Sequence, residues 1–463
     1  MSDRPHKTLD QRFADAMGQL LGPDFPTDIG LAVSGGGDSM AMLALAHNWA
    51  RVWGVRLWVV TVDHGLRPES ANEAAMVARE VRSLGHKHCI LKWHWDEQGN
   101  VQARARAARL ALIDQWRGLL EHVLFAHTAD DVAETFLMRL ARQAGVEGLS
   151  EMQRARVIDL KGGARLTREL YEGDLPQQFE SGKGTMIRPA RYMLHRPCLD
   201  MTRQELRHYA RTLQVPWVED PSNADPRFDR VRMREILPAL EAGGLSRAAL
   251  VGAARHMRRA ADALKARAVS IWTQIGREGR SGRWPTGELL LDRTGFEAVE
   301  RDTQMRLLSY ALSYISSQAY RPREEPLEDL LDRLLGGGKG TLHGCAAHME
   351  GDQLRLFREY AALKAQNIVC EPGGRISLWD GRWQMRGAEG TIIRALGEDG
   401  WAQINRDRLD AEAPPFASAR SLPSLWHEDR LLACDPLGVG QGATRLRPMG
   451  NEMMSFAKFL LSH

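Results

Sequence analysis

The first 142 residues of the chain alternate between short apolar runs and longer segments in which apolar positions recur at helical spacing. A short continuous apolar run is typical of a strand buried on both faces, and recurrence every three or four positions is typical of a helix. The pattern predicts strands over residues 29–33, 57–62, 89–95 and 123–126, and helices over residues 40–53, 71–84, 101–119 and 130–142. This alternation predicts an α/β fold with a doubly wound parallel sheet, whose ligands lie at the carboxyl ends of the strands.

The pattern becomes less regular further along the chain. Residues 157–187 are rich in glycine and charge and predict an irregular insertion, whereas residues 202–214 predict a helix. From residue 232 to about residue 335 the pattern is helical almost throughout, and after three glycines short apolar runs predict a small β-rich module. A chain of 463 residues is too long for a single core. We expect an α/β catalytic domain, a helical domain and the β-rich module, at residues 1–220, 221–335 and 336–463.

Composition places the chain among soluble globular proteins, with 43% hydrophobic and 26% charged residues. No apolar stretch approaches the length of a membrane-spanning helix, and the first residues lack the apolar core of a signal peptide. The five cysteines are scattered and form neither a CxxC pair nor a zinc-ligand spacing. We therefore expect a protein of the reducing cytoplasm that has no contact with a membrane.

The segment Ser34-Gly35-Gly36-Gly37-Asp38-Ser39 joins the first predicted strand to the first predicted helix. Successive glycines allow backbone N–H groups to approach an anion, and the helix N-terminus behind them adds a positive dipole end. Both serine hydroxyls are suited to donate to phosphate oxygens, and a carboxylate at position 38 is explained if Mg²⁺ lies between it and the ligand. The segment is neither a Walker A loop nor a dinucleotide fingerprint. The alternative interpretation is a glycine-rich turn in which Asp38 and Ser39 cap the helix.

Two further strand ends carry candidate functional residues. Val62 and His64 end the second predicted strand, and His127 follows the fourth. Three carboxylates then begin a helix at spacings that make them neighbours, at Asp130, Asp131 and Glu134. A carboxylate cluster facing a phosphate loop suits a metal ion or an amino group. The alternative is an acidic helix start that interacts favourably with the helix dipole.

Arginine is concentrated in two other places. Arg106 and Arg109 lie in the third predicted helix and are either ligand-binding residues or ordinary surface arginines. Residues 227–267 contain ten Lys or Arg and four Asp or Glu, a net charge of +6 that fits a polyanionic partner. The alternative is a solvated helix face. The arginines that we select as candidates for binding that partner are Arg230, Arg232, Arg234, Arg255, Arg258 and Arg259.

Together these segments resemble the tRNA(Ile)-lysidine synthetases, which are N-type ATP pyrophosphatases with a PP-loop. The family carries an SGGxDS loop, a DHGLR strand end, an ARxxR helix and an AHHxDDQxET segment, followed by RPLLxxxR, DxSN and RNxIR segments. The matching segments here are residues 34–39, 63–67, 105–109, 126–135, 196–203, 220–223 and 230–234. The chain departs from the family pattern outside the phosphate loop and the carboxylates, at Leu110, Thr128, Val132, Gln143 and Val231.

The resemblance implies a two-step reaction on tRNA(Ile) with a CAU anticodon. ATP adenylates the C2 oxygen of the wobble cytidine and pyrophosphate leaves; the ε-amine of free L-lysine then attacks C2, AMP leaves and lysidine is formed. The implied catalytic residues are Asp38, Asp131, Glu134, Arg106 and Arg203. Among them, Asp38 and Asp131 hold Mg²⁺, Glu134 binds lysine, and the two arginines steady the adenylate. The loop of residues 34–39 binds ATP together with Val62, His64 and His127.

The resemblance makes ATP, Mg²⁺, L-lysine and tRNA(Ile) the expected partners, and a homodimer is left open. The nearest alternative is another PP-loop tRNA-modifying enzyme such as a tRNA thiolase, which needs paired cysteines. An amidotransferase-linked synthetase needs a glutaminase domain with a catalytic cysteine, which is not evident. A tRNA-binding module with a vestigial ATP site is disfavoured by the intact Ser34, Asp38, Asp131 and Glu134.

Overall fold

The described part of the protein falls into two compact units, Met1–Ala261 and Asp262–His463. The computed structural model describes residues 7–65, 69–93, 101–159, 167–176, 191–219, 227, 229–318, 320–372, 376–440, 444–446, 448–449, 452–453 and 455–462. Each unit has its own core. The finer division into three domains stays a prediction.

Seven strands of the first unit form one sheet. They are β1 (Asp28–Ala32), β2 (Arg56–Asp63), β3 (Lys87–Lys92), β4 (His122–Phe125), β5 (Ala155–Asp159), β6 (Tyr171–Gly173) and β7 (Arg191–His195). Their order is β5-β7-β4-β1-β2-β3-β6, in which the five inner strands are parallel and the two edge strands antiparallel. The chain runs from β1 outward to β3 and then returns to β4 on the other side of β1. The predicted doubly wound sheet is confirmed, and its switch point lies beside β1.

Helices precede and connect the strands of this unit. They are α1 (Leu9–Leu21), α2 (Gly37–Trp53), α3 (Ser70–Ser83), α4 (Val101–Trp116), α5 (Ala129–Leu140), α6 (Val146–Leu149), α7 (Arg203–Thr212) and α8 (Asp229–Ala242), with a 3-10 turn at Arg168–Leu170, and α9 (Arg247–Ile275) begins in the first unit and ends in the second. Helix α2 is the most deeply placed, because residues 40–46 are all buried and pack in the main core with residues of α1 and α7. The loop that precedes α2 is therefore anchored to the rigid centre of the unit.

The expected irregular insertion over residues 157–187 was wrong at two places. β5 pairs antiparallel with β7, and β6 pairs antiparallel with β3. β6 has only three residues, of which two are exposed, so no apolar pattern marks it as a strand. Its extended conformation is stabilised by backbone hydrogen bonds to β3, which lies about eighty residues earlier in the chain. A local sequence pattern does not reveal such a distant partner.

The second unit contains the remaining elements. Its strands are β8 (Gly276–Ser281), β9 (Trp284–Asp292), β10 (Lys339–Leu342), β11 (Cys345–Glu350), β12 (Gln353–Arg358), β13 (Ile368–Val369), β14 (Ser377–Trp379), β15 (Trp383–Met385), β16 (Ile392–Ala395), β17 (Pro423–His427), β18 (Arg430–Ala433), β19 (Thr444–Leu446), β20 (Pro448–Met449) and β21 (Glu452–Met453). Its helices are α10 (Arg293–Glu297), α11 (Arg301–Ser316), α12 (Glu324–Leu335), α13 (Gly397–Ala402), α14 (Phe416–Ala419) and α15 (Phe456–Ser462), with 3-10 turns at Tyr360–Ala362, Arg406–Arg408 and Asp435–Leu437.

The expected helical pattern between residues 232 and 335 was wrong over residues 276–292. β8 and β9 form a hairpin there and join later strands in a five-stranded sheet of order β10-β11-β12-β9-β8. The buried run Leu289–Leu291 suits a strand and a helix equally well, and pairing of β9 with β12 decides between them. This sheet combines strands from both sides of the predicted boundary at residue 335. The other sheets are β13-β16-β17-β18, β14-β15-β19 and β20-β21, in keeping with the predicted β-rich carboxyl-terminal part.

Among the described residues, no helix has both the length and the apolar character required to cross a bilayer. All five cysteines are free and buried. Burial raises the pKa of the Cys89 and Cys345 thiols to about 12, so these side chains pack as small apolar groups and are not available as thiolates.

Candidate active site

The loop between β1 and α2 presents the N-terminus of a helix to the switch point of the sheet. Gly35 has a φ of +87°, a conformation that side chains other than glycine rarely adopt. Gly36 is the N-cap of α2 and the first turn receives no side-chain capping bond, so neither Asp38 nor Ser39 caps the helix. Ser39 instead fixes the loop, since its Oγ donates to the carbonyl oxygen of Gly36 over 2.9 Å and lies 3.2 Å from Ser34 Oγ. The uncapped first turn remains suited to an anion.

Gly37 allows a second segment to pack closely against the loop. A Cβ at this position would lie 3.3 Å from Arg207 Cγ and 3.5 Å from Trp217 Cδ1. The backbone N–H of Val218 donates to the carbonyl oxygen of Gly35 over 3.0 Å. The segment after α7 therefore holds the loop from one side, which the glycine-rich motif alone did not indicate.

The carboxylates of α5 lie at the end of the neighbouring strand β4. Thr128 caps α5 through a capping box, in which its backbone N–H donates to Asp131 Oδ2 over 2.9 Å and its Oγ1 accepts from the Asp131 N–H. One oxygen of Asp131 is thus used in the cap, and Oδ1 faces the site. Asp130 accepts from the backbone N–H of Arg203 over 2.7 Å. One oxygen of Asp131 therefore acts at the helix start, as the alternative interpretation of these acids predicts. The remaining carboxylate oxygens of Asp130 and Asp131 have other partners.

Asp38 lies in the loop with a carboxylate that is largely out of water. Burial raises its pKa to about 6, although the charge of Arg203 opposes the shift. Its Oδ1 is buried and has no hydrogen-bond partner among the described residues. A buried carboxylate oxygen without a donor favours a cation at that position.

Arg203 brings the loop and the α5 carboxylates together. Its Nε lies 3.2 Å from Asp38 Oδ2, its Nη1 lies 3.1 Å from Glu134 Oε1 and its Nη2 lies 3.8 Å from Asp131 Oδ1. Burial alone lowers the pKa of an arginine, but the three carboxylates raise the pKa of Arg203 above its ordinary value. Arg203 therefore contacts the three acids that were expected to be catalytic, Asp38, Asp131 and Glu134.

Helix α8 and the start of α9 add one arginine to each acid of α5. Arg230 Nη1 lies 3.8 Å from Asp131 Oδ1, and Arg234 Nε lies 2.9 Å from Glu134 Oε1. Arg247 Nη1 lies 2.8 Å from Asp130 Oδ1. Arg230 and Arg234 share a helix face as the i, i+4 spacing indicates, and that face is turned toward α5. Both were selected as candidates for a polyanionic partner, and the structure brings them into the carboxylate cluster.

Other arginines form a positive region beside the same cluster. Arg196 Nε donates to His127 Nδ1 over 3.2 Å, and burial lowers the pKa of His127 to about 3, so that its imidazole is neutral. Burial, together with the charge of Arg106, lowers the pKa of both Arg109 and Arg196 to about 10. The guanidinium of Arg109 lies over the Phe125 ring, 5.5 Å from its centre. Mutual repulsion of these cations leaves a positive potential that an anionic ligand would relieve.

Val62 and His64 lie at the end of β2, on the other side of β1. The His64 ring meets the Trp93 ring edge-on at 5.6 Å, and burial lowers the pKa of His64 to about 4. The rest of this motif, Leu66 and Arg67, lies outside the described residues, as does the segment Asp220–Asn223.

The remaining basic residues line a separate surface cavity of about 540 Å³. The cavity is lined by four arginines and two acidic residues, namely Arg154, Arg255, Arg258, Arg259, Glu151 and Asp200. Arg255 is ion-paired with Asp200, and its Nε lies 3.3 Å from Glu151. Arg232 pairs with Asp229 on its own helix.

Sequence reasoning missed Arg196, Arg207, Arg247 and Thr128 as members of the site. Arg196 opens the segment of residues 196–203, and Thr128 precedes Asp131 at capping-box spacing, so both had a signal in the sequence. Arg207 and Arg247 had none, because each reaches the site from a helix whose surface pattern is ordinary.

Comparison with known proteins matches residues 9–240 of the chain to the family model described as PP-loop domain. Over 449 residues the chain is 35% identical to the tRNA(Ile)-lysidine synthase of Ruegeria pomeroyi, with 95% of each chain covered. It is 35% identical over 363 residues to the enzyme of the same name from Methylobacterium nodulans, which covers 75% of this chain and 95% of that one. A third relative of that name, from Wolbachia pipientis, is 31% identical over 368 residues and covers 78% and 77% of the two chains.

Among solved structures, the U34-tRNA thiolase of Methanococcus maripaludis superposes with a TM-score of 0.40 and 15% identity, covering 54% of this chain and 77% of that one.

Proposed function

Because this chain belongs to the PP-loop family of tRNA(Ile)-lysidine synthases, we propose that it joins free L-lysine to C2 of the wobble cytidine in the CAU anticodon of tRNA(Ile). It is a carbon–nitrogen ligase that converts ATP to AMP and pyrophosphate. In the first step the C2 carbonyl oxygen attacks the α-phosphorus of ATP, and the bond to pyrophosphate breaks. In the second step the lysine ε-amine attacks C2, the C2–O bond to AMP breaks, and the amine loses a proton.

One observation carries this proposal above the others. Arg203 contacts Asp38 of the phosphate loop and, within 3.8 Å, both Asp131 and Glu134. A single guanidinium therefore adjoins the proposed pyrophosphate site and the proposed amine site. Adenylation takes place on the oxygen bonded to C2 and lysine then attacks C2 itself, so the two sites have to adjoin.

The domain of residues 9–240 binds ATP. We assign the pyrophosphate part of ATP to the loop from Ser34 to Ser39, on the basis of its uncapped helix N-terminus. Val62, His64 and His127 lie where β2 and β4 end on either side of β1, and they complete the proposed ATP site.

Mg²⁺ is the metal that we propose for this site, held by Asp38 and Asp131. The fit rests on the buried, unpartnered Oδ1 of Asp38 and on the oxygen of Asp131 that lies outside the helix cap. Within the described ranges no three His, Cys, Asp or Glu side chains converge as a metal site, so phosphate oxygens and water would complete the shell, as Mg²⁺ prefers. When bound, Mg²⁺ supplies positive charge that stabilises the departing pyrophosphate.

Arg106 and Arg203 are the residues that we propose to steady the adenylate. Arg106 belongs to the positive region around Arg109 and Arg196, where an added phosphate relieves repulsion between guanidinium groups. Arg203 has N–H donors directed both at Asp38 in the phosphate loop and at Glu134 on α5. These fixed charges would stabilise negative charge as it develops on the α-phosphate oxygens, without the reorganisation that water requires.

Glu134 is the residue that we propose for the amino group of lysine. Its side chain is fully buried and its Oε2 has no partner among the described residues, so one acceptor remains for a ligand donor. Removal of a proton from an amine held there leaves the nucleophile neutral for attack at C2.

The cavity lined by Arg255, Arg258 and Arg259 is the surface that we propose for the RNA backbone, with Arg232 as an outlying contact. Arginine forks match phosphate groups, and an excess of arginine over acid favours a polyanion. Arg230 and Arg234 are held in the carboxylate cluster and would act there before they act on RNA. The cytidine has to leave its stack to reach the α-phosphate, so the RNA must be held elsewhere while that cost is met.

We also propose that the enzyme works in the cytoplasm, where tRNA, ATP and free lysine meet. A homodimer stays a prediction, and sedimentation velocity with and without tRNA measures it directly.

The alternative of a tRNA thiolase finds no support in the chemistry of the cysteines. The five thiols are all buried, and burial raises the pKa of Cys89 and of Cys345 to about 12. Such thiols do not supply the thiolates that a cluster or a persulfide needs.

The decisive experiment is nucleoside analysis of tRNA(Ile) transcripts after incubation with the purified protein, ATP, Mg²⁺ and isotopically labelled lysine. We expect labelled lysidine at the wobble position, one AMP and one pyrophosphate for each lysine incorporated, and no product with tRNA(Met), which shares the CAU anticodon. Incorporation of sulfur, or pyrophosphate release without lysine transfer, would contradict the proposal.

A further inference from the structure

Glu134 is held by two arginines from different helices. Its Oε1 accepts from Arg203 Nη1 over 3.1 Å and from Arg234 Nε over 2.9 Å. The carboxylate is completely buried, whereas about a third of the Arg234 side chain is exposed. A buried carboxylate is strongly destabilised unless its charge is compensated, so both arginines balance the charge of Glu134 and hold its side chain in place.

Arg203 by itself is not sufficient for this task. The same guanidinium also serves Asp38 and Asp131, so its single positive charge is divided among three carboxylates. Arg230 assists Asp131, and Arg234 assists Glu134. Without Arg234 the cluster would carry one uncompensated negative charge, and Glu134 would lose the shorter of its hydrogen bonds to these two arginines.

The two arginines occupy the same oxygen of Glu134. Oε1 is therefore saturated, and Oε2, buried and without a partner among the described residues, is the oxygen left to accept from a ligand. The two guanidinium groups hold Oε1 between α7 and α8, and this contact fixes the direction in which the second oxygen of the carboxylate points.

We propose that Arg234 is a positioning residue for the second half-reaction: by holding Glu134 Oε1 it directs Oε2 at the amino group of lysine. This inference rests on the proposed function and adds to it a residue on α8 that acts through Glu134 and does not contact the transferred atoms. It also means that Arg234 serves lysine, and not the RNA backbone for which its position in a basic segment first suggested it.

The test compares Arg234→Gln, Arg234→Lys and the control Arg142→Gln in the full-length protein. Arg142 is a matched control because it follows α5 and its Nη2 lies 2.5 Å from Asp229 at the start of α8, so it also pairs with α8 but through a different acid. For each protein we would measure KM for lysine, kcat, KM for ATP, pyrophosphate release, and tRNA affinity as a function of salt.

For Arg234→Gln we expect KM for lysine to rise about 10-fold or more, as for the loss of a charged hydrogen bond. KM for ATP, pyrophosphate release and the salt slope of tRNA affinity should stay within about two-fold of the wild type, which is the usual range for surface changes. Arg234→Lys should recover part of the loss because it restores the charge but not the planar fork. Arg142→Gln should leave KM for lysine unchanged.

Three results would overturn the inference. Equal losses in Arg234→Gln and Arg142→Gln would assign Arg234 to docking of α8. A weaker tRNA affinity and a flatter salt slope with unchanged KM for lysine would return Arg234 to the RNA surface. Unchanged kinetic constants in Arg234→Gln would show that Glu134 does not need Arg234 for its role in lysine binding. Incubation of the wild type with ATP, tRNA and labelled lysine distinguishes failure of this inference from failure of the proposed function, since absence of lysine transfer there contradicts the proposed function itself.

Discussion

Arg203 and Asp38 are separated by 165 positions in the chain, and their side chains meet at 3.2 Å. The contact joins the first turn of α7 to the phosphate loop at the end of β1. The same arginine also contacts Glu134, so a single side chain joins the phosphate loop to helix α5. Replacement of this residue should therefore affect both half-reactions.

Arg203→Gln should reduce pyrophosphate release and lysine transfer together, by about 100-fold or more, because a fixed charge at the developing phosphate charge is lost. Arg203→Lys should retain more activity in the first step than in the second, since an ammonium cannot bridge two carboxylates as a guanidinium does. Single-turnover assays of each step give the comparison. A variant that loses only lysine transfer would show that Arg203 has no part in adenylation.

Asp38→Ala should leave a folded protein that no longer adenylates tRNA. Its unpartnered buried oxygen is the proposed metal ligand, and no other residue of the loop bears a carboxylate. Pyrophosphate release measured against Mg²⁺ concentration provides the readout. Asp28→Asn is the control, because Asp28 lies at the opposite end of β1 and pairs with Arg56. Full turnover of Asp38→Ala at ordinary Mg²⁺ would refute the assignment.

Glu134→Gln and Glu134→Ala should raise KM for lysine far more than KM for ATP. Glutamine keeps an acceptor oxygen but lacks the charge, so its effect should be the smaller of the two, and both should amount to about 10-fold or more. Steady-state kinetics with each substrate varied in turn separates the constants. Equal changes in both constants would argue that Glu134 acts on the metal or the nucleotide.

Neutralising Arg255, Arg258 and Arg259 together to glutamine should weaken tRNA affinity and flatten its salt dependence. Each phosphate contact that is lost should lower the slope by about 0.7 to 0.9. Glu151→Gln should act in the opposite direction, because it frees Arg255 from one of its carboxylate partners. Affinity for ATP should not change in either variant. If the tRNA affinity and its salt dependence match those of the wild type, the RNA-binding surface lies elsewhere.

Acidification should destabilise the first unit through histidines that are buried in the neutral form. Burial lowers the pKa of His88 to about 4, and that of His195 likewise to about 4, against about 6.5 in an unfolded chain. Below pH 6.5 the unfolded chain binds protons that the native state does not, so stability falls as pH falls from about 6.5 to 4.

At pH 5 each such histidine should cost about 1 to 2 kcal/mol of unfolding free energy. His88→Gln keeps an acceptor for Thr61, which lies 2.9 Å from His88 Nε2, and removes the titration. Thermal unfolding at pH 7 and pH 5 should therefore show a smaller decrease for this variant. The exposed His208→Gln is the control, and the prediction fails if both variants follow the wild type.

Local sequence patterns are sufficient to predict those features of this protein that a few consecutive residues specify. The phosphate loop, the capping and acid residues of α5 and the alternation of strands with helices are each contained in a few consecutive residues. The spacing of apolar residues predicts the helices and strands, and the glycines and serines of the loop predict a phosphate site. The resemblance to a PP-loop family rested on the order of these local segments, and it placed Asp38, Asp131, Glu134 and Arg203 in one site before any of their distances were known.

Only the tertiary structure decided which charges meet. Arg234 and Glu134 are 100 positions apart and Arg247 and Asp130 are 117 apart, so no local pattern distinguishes these ion pairs from arginines that face solvent or RNA. The same holds for the edge strand β6 and the hairpin of β8 and β9, which depend on backbone partners distant in the chain. Ion pairs and strand pairing gain free energy only when folding brings both partners together, and for that reason their choice belongs to the fold.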